Sequence, residues 1–228
     1  MKALLYKEFK LAMHPIIYVF VFLFPLMTLI PNYPLAIGFI YIMTAYPILF
    51  LGANKGQQSN DLLYSVLLPV RKRDIVKARI LTVVIMQVVY VAMISALYPL
   101  AVLFNNFAAS SDPNYAIPGL GLDAFVSLIA FGILGLAIAD LIFFPIYYKN
   151  GKSIVMSTLF TILGFAVYIM LFTVVLPYIP GFGWYTWFLT NSGLLNQFLV
   201  LIGAILLSVG IHFLIYRISY KELDKVDF

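Results

Sequence analysis

The chain has 228 residues, of which 64% are apolar and only 10% charged, against about 25% charged in an ordinary soluble domain. So few charges cannot cover a water-facing surface of this size, which excludes a soluble enzyme and requires lipid around much of the outside. Cysteine is absent, which excludes disulfides, thiolate metal sites and thiol catalysis.

The first segment, residues 1–14, carries Lys2, Lys7, Glu8, Lys10 and His14. It is too polar for the core of a signal peptide and no small-residue cleavage site follows it, so the chain is expected to begin its mature form at Met1. Lys7, Lys10 and His14 fall at helical spacing, with Leu4, Leu5, Phe9, Ala12 and Met13 on the opposite side. This predicts an amphipathic helix lying on the inner membrane face; a charged flank that only fixes topology carries the same pattern.

Six apolar runs follow, at 15–30, 35–51, 80–104, 122–148, 154–176 and 193–216. Their length, and the lack of strict in–out alternation, predict helices rather than barrel strands, since a helix satisfies every backbone amide without leaving lipid. The predicted fold class is therefore an all-α integral membrane protein, one transmembrane domain over 1–228 with six transmembrane helices. The first run is short, about 24 Å against a hydrocarbon core of about 30 Å. A five-helix arrangement with 15–51 as a re-entrant hairpin is the alternative. Pro25, Pro47, Pro99 and Pro145 lie within runs and predict kinks or helix ends.

The basic residues set the orientation. Lys2, Lys7 and Lys10 precede the first run; Lys55, Arg71, Lys72, Arg73, Lys77 and Arg79 separate the second from the third. Lys149 and Lys152 separate the fourth from the fifth, and Arg217, Lys221 and Lys225 close the chain. The three remaining connections have no Lys or Arg. Basic segments stay in the cytoplasm during insertion, so both termini and the 52–79 segment are expected there.

That cytosolic segment holds the densest pattern. Ser59 or Asn60 can cap a short helix with Asp61 in its first turn. Leu62, Leu63, Val66 and Leu67 give it one apolar face around Tyr64, and Pro69 ends it. Arg71, Lys72 and Arg73 come next, and Asp74 is expected to cap the helix that continues into the third run. An apolar stripe on a cytosolic helix must be covered, either by the protein's own helix ends and the lipid surface or by a groove on a partner.

Signals for catalysis are weak. Gly151-Lys152-Ser153 resembles the end of a phosphate loop, but Ile146 stands where the first glycine is needed. His14 and His212 have no HExxH context and no GxSxG occurs, so neither a metal centre nor a serine nucleophile is expected. Asp140 is the one carboxylate well inside a run, where a charge costs about 2.5–3.5 kcal/mol on insertion scales. It either faces a pathway or subunit interface, or is hydrogen-bonded within the bundle. Gly132, Gly135 and Ala139 line one face nearby and allow close helix approach. Trp184, Tyr185, Trp187 and Phe188 form an aromatic belt in the last outer loop.

Several stretches together resemble a known family. Lys-Ala-Leu-Leu-Tyr-Lys-Glu-Phe at 2–9 and Leu-Leu-Pro-Val-Arg-Lys-Arg-Asp-Ile-Val-Lys-Ala-Arg at 67–79 are similar to ABC-2-type exporter permeases. So are Asp-Pro-Asn at 112–114 and Ile-Phe-Phe-Pro-Ile-Tyr-Tyr-Lys at 142–149. The likeness is closest to short bacterial permeases that export peptides and antimicrobials, phenol-soluble modulins among them. It implies an elbow helix at 1–14 carrying Lys7, Glu8 and Lys10. It also implies a coupling region at 56–79 that docks on a separate cytosolic ABC ATPase through Asp61, Leu62, Leu63, Tyr64, Val66, Leu67 and Pro69. Arg71, Lys72, Arg73 and Asp74 would lie beside that ATPase surface. ATP and Mg would be bound by the partner and no cofactor by this chain. Two copies, or two similar permeases, would surround the pathway in the cell membrane. An ATP-independent transporter or sensor is the rival reading.

Overall fold

The structure, a computed structural model, describes residues 2–12, 16–29, 70–111, 122–150, 154–172 and 193–225. Every ordered element among them is helical, as apolar sequence without period-two alternation requires in a solvent that offers backbone amides no partner. The N-terminal segment is a short helix, α1 (Lys2–Lys7), that widens into a π-helical turn over Glu8–Ala12. Helix α2 (Ile16–Leu23) tightens into a 3-10 stretch, Phe24–Leu29, where Pro25 removes a backbone donor.

Four longer helices make the bundle: α3 (Lys72–Ser111), α4 (Leu122–Asn150), α5 (Ile154–Met170) and α6 (Leu194–Asp224). Pro99 and Pro145 both lie inside helices, α3 and α4. Three stretches among the described residues are long and apolar enough to cross a membrane, Lys72–Phe104, Phe125–Lys149 and Leu194–Asp224, with Val155–Met170 a shorter fourth. At 1.5 Å per residue the 40 residues of α3 reach about 60 Å, twice the hydrocarbon core. The expected second span at 35–51, the aromatic loop from Trp184 to Phe188, His14 and Gly151–Ser153 lie outside the described residues.

Cross-helix contacts fix the directions. Ser127 meets Gln197, and Asp140 meets His212, so α4 and α6 run the same way. Gln87 meets Asp140, and Arg79 meets Tyr147, so α3 runs against α4. Helix α5 also runs against α4: Tyr168 donates to the Phe131 carbonyl (3.0 Å), and Gly164 faces Ile142. At Gly135 of α4 an added Cβ would sit 2.7 Å from the Phe165 ring and 3.0 Å from that of Tyr168, so only glycine lets these helices approach so closely.

The core is aromatic. Tyr90 and Ile94 of α3, Phe143, Phe144 and Tyr148 of α4, and Ile215 of α6 are fully enclosed. Phe131 stacks on Tyr168 at 4.6 Å between centroids and Tyr98 on Phe125 at 3.9 Å. The outer faces of α5 and α6 are bare: Val155 is 71% exposed and Leu195 77%. Such surfaces suit lipid or another membrane-embedded segment.

Candidate functional site

The chain from Val70 into α3 defines one end of the bundle. The Arg71 carbonyl accepts the amides of Asp74 (2.9 Å) and Ile75 (3.4 Å), so the helix begins at Lys72. Asp74, expected as its cap, instead stands inside the first turn. It still complements the positive end of the helix dipole, but the capping acceptor is the Arg71 backbone carbonyl. Arg71 and Arg73 are exposed, while Lys72 and Asp74 are half-buried. Arg73 lies over the Tyr220 ring of α6 at 4.4 Å, which brings the start of α3 to the last turns of α6.

Two turns further along α3 the sequence hides an ion pair. Arg79 Nε donates to Glu8 Oε2 (3.0 Å) and its Nη2 to Glu8 Oε1 (3.2 Å). The remaining arm, Nη1, donates to the Tyr147 hydroxyl (2.8 Å). Both charged side chains are at most 5% exposed, and Lys7 Nζ stands 3.5 Å from Glu8. Of the three residues expected to mark an elbow helix, Lys7 is half-buried and Lys10 is exposed beside Tyr6, whereas Glu8 turns into the bundle. The fork-on-fork geometry fastens the N-terminal segment to α3, and Tyr147 extends the link to α4.

The middle tier is built on Asp140, which is fully enclosed. Its Oδ2 accepts from Gln87 Nε2 of α3 (2.9 Å) and faces His212 Nε2 of α6 at 3.0 Å. His212 Nδ1 lies 2.7 Å from the Ser208 carbonyl. A carbonyl only accepts, so Nδ1 bears a hydrogen; the Nε2–Oδ2 contact then requires a second proton between ring and carboxyl. The pair is net neutral in either arrangement, imidazolium with carboxylate or imidazole with carboxylic acid. That neutrality is what makes it compatible with bilayer depth. A third tier links Ser127 of α4 to the fully enclosed Gln197 of α6, the hydroxyl donating to Oε1.

A cavity of about 730 Å³ opens between α3 and α6, floored by Ile133 and Leu136 of α4. Its walls are almost wholly apolar, with Lys77 and Tyr216 at the basic end and Gln87, Ser208 and His212 further in.

Of the residues singled out in the sequence, Asp140 proves to be hydrogen-bonded within the bundle, to two residues that line the cavity. Asp61, Leu62, Leu63, Tyr64, Val66, Leu67 and Pro69 lie outside the described residues. Sequence reasoning missed Arg79, Tyr147, Gln87, His212 and Gln197. One signal was readable: Asp140 and His212 are both ionisable and both inside apolar runs, so each needs a buried partner. Among the described residues no group of three or more His, Cys, Asp or Glu side chains is arranged to hold a metal.

Long apolar helices joined by internal polar links, with apolar residues facing outward, define a membrane-embedded helical bundle. A family model described as "ABC-2 family transporter protein" matches residues 3–223, and the chain belongs to that family. It is thus the permease component of an ABC transporter, a transport component that works with an ABC ATPase partner. No curated protein and no solved structure matches the chain.

Proposed function

We propose that the chain is the membrane subunit of an ATP-driven exporter of amphipathic or hydrophobic peptides, cytolytic or antimicrobial peptides among them. In this reading six helices span the cell membrane, with both termini in the cytoplasm and residues 1–14 as an elbow on its inner face. The 56–79 region is the coupling element: Asp61, Leu62, Leu63, Tyr64, Val66, Leu67 and Pro69 enter a cleft on the ATPase, with Arg71, Lys72, Arg73 and Asp74 at its rim. ATP and Mg are held by that partner, and a second permease, identical or similar, completes the pathway.

The observation that carries the reading is the family match over 3–223, nearly the whole chain. The basic bundle end supports the orientation, since Arg71, Lys72 and Arg73 cluster there with Lys221 and Lys225. The apolar cavity between α3 and α6 supports a greasy substrate, because its few polar groups suit an amphiphile better than a hydrophilic solute. ATP drives such a machine only if it favours one conformer over another, and the coupling element is where that preference reaches the membrane.

Co-purification with the cognate ATPase tests the docking assignment. Leu63→Asp or Val66→Asp is expected to abolish co-purification and the stimulation of ATP hydrolysis while leaving the permease folded. Pull-down and stimulation equal to wild type would refute it. If transport persists with no ATPase present but is lost in Asp140→Asn, an ATP-independent carrier is the correct reading.

A further inference from the structure

We propose that the groove between α3 and α6 holds one acyl chain of an anionic phospholipid, with the phosphate seated on Lys77. The cavity's volume, about 730 Å³, is in the range of pockets that enclose small organic ligands. It is open sideways: Val88, Val209 and Phe213 line it and are 61%, 64% and 55% exposed. An opening of this kind at bilayer depth admits molecules from the membrane rather than from water.

Its length and polarity select the ligand. From Lys77 to Ala92 along α3 is fifteen residues, or about 22 Å, the greater part of a hydrocarbon core of about 30 Å. Along it α3 presents Ile80, Leu81, Val84, Val88 and Val91, so the trough is apolar for most of its length, with Gln87, Ser208 and His212 as polar groups partway along. At its mouth Lys77 is exposed, and no carboxylate among the described residues pairs with it. The neighbouring cations are committed to rings. Arg73 lies over Tyr220 at 4.4 Å and Arg217 over Phe213 at 4.6 Å, so their charge adds to the positive field while Lys77 supplies the free donors. An ammonium at the interface end of a long apolar trough matches a lipid with a net negative head, and gives a net-neutral head no such preference. The leaflet that holds the head follows from the orientation proposed above, the cytosolic one; the binding itself depends neither on that orientation nor on an ATPase.

The test uses the full-length protein in nanodiscs of equal phosphatidylglycerol and phosphatidylcholine, with retained lipid counted by native mass spectrometry after transfer to detergent. Wild type is expected to retain phosphatidylglycerol preferentially, unaffected by excess inorganic phosphate. Lys77→Gln should lower that preference about fivefold, the effect of one basic residue at an anionic surface. Val209→Trp and Val88→Trp each fill the trough from a different helix, and a folded variant of either kind should lose the retained lipid. Equal retention of the two lipids, an unchanged preference in Lys77→Gln, lipid persisting in both tryptophan variants, or no lipid on wild type would each overturn the proposal. Displacement by free phosphate would overturn it too, by showing an anion site without a chain.

Discussion

The buried pair between Glu8 and Arg79 gives the sharpest prediction. Two charge-assisted hydrogen bonds of 3.0 and 3.2 Å join side chains at most 5% exposed. Removing one member of such a pair strands the other's charge out of water, at a cost of about 3–5 kcal/mol. Lys7 stands 3.5 Å from Glu8, so Arg79→Met leaves the carboxylate a partial substitute and its loss falls at the low end, about 3 kcal/mol. Glu8→Leu leaves a guanidinium beside Tyr147, which is a poor counter-charge, and falls higher, about 4 kcal/mol. The double variant removes both charges and loses less than either single one, since an apolar replacement of the whole pair is often close to neutral. At about 2–4 °C per kcal/mol for a chain of this size, the single variants melt about 6–16 °C below wild type. The assay is a melting curve of the purified protein in mild detergent for all four members of the cycle. Additive losses, or single variants within about 1 °C of wild type, would show that no strong buried pair exists.

Five further outcomes follow from the same geometry. Asp140→Leu removes the acceptor of the Gln87 amide and the partner of His212 Nε2, and should destabilise the bundle by about 1–3 kcal/mol. Asp140→Asn keeps an acceptor for Gln87 and should stay within about 1 kcal/mol of wild type in the same melts. Gly135→Ala places a methyl 2.7 Å from the Phe165 ring and 3.0 Å from that of Tyr168, both fixed by packing, and should separate α4 from α5 with a loss of about 1–3 kcal/mol. Gly164→Ala meets only the flexible end of Ile142, which can turn away, so it should cost less than about 1 kcal/mol. Gln197→Leu strips the Ser127 hydroxyl of its acceptor and should lower stability by about 0.6 kcal/mol, the average for hydrogen bonds between membrane helices.

Composition and run length made the helical, membrane-embedded class legible, because both follow from the solvent and not from which residues meet. The polar links were not legible, because they depend on which helix faces face each other. Glu8 is a case in point. Between Lys7 and Lys10 it reads as one more charge on a solvated face, yet the π-helical turn starting at Glu8 accompanies its turn inward to Arg79, 71 residues away. A lone histidine without metal-ligand spacing, such as His212, suggests nothing by itself; its meaning lies in Asp140, on another helix. Asp74 departs from expectation for a more local reason: it is a good cap by residue type, but the chain leaving Val70 enters helix early enough for the Arg71 carbonyl to take that place.

The three tiers bear on how force would travel in the proposed exporter. Helix α3 is unbroken from Lys72 to Ser111, and its first turns lie within the proposed coupling region at 56–79. Arg79 ties it to the N-terminal segment and, through Tyr147, to α4; Gln87 ties it to Asp140 and thereby to His212 of α6. A push delivered at residues 61–71 therefore cannot move α3 alone without breaking a buried ion pair and a buried carboxyl network, each worth kilocalories. Rigid-body motion of α3, α4, α6 and the N-terminal segment costs none of these bonds. Relative movement is expected instead along the exposed apolar faces of α5 and α6, where the described residues hold no polar link.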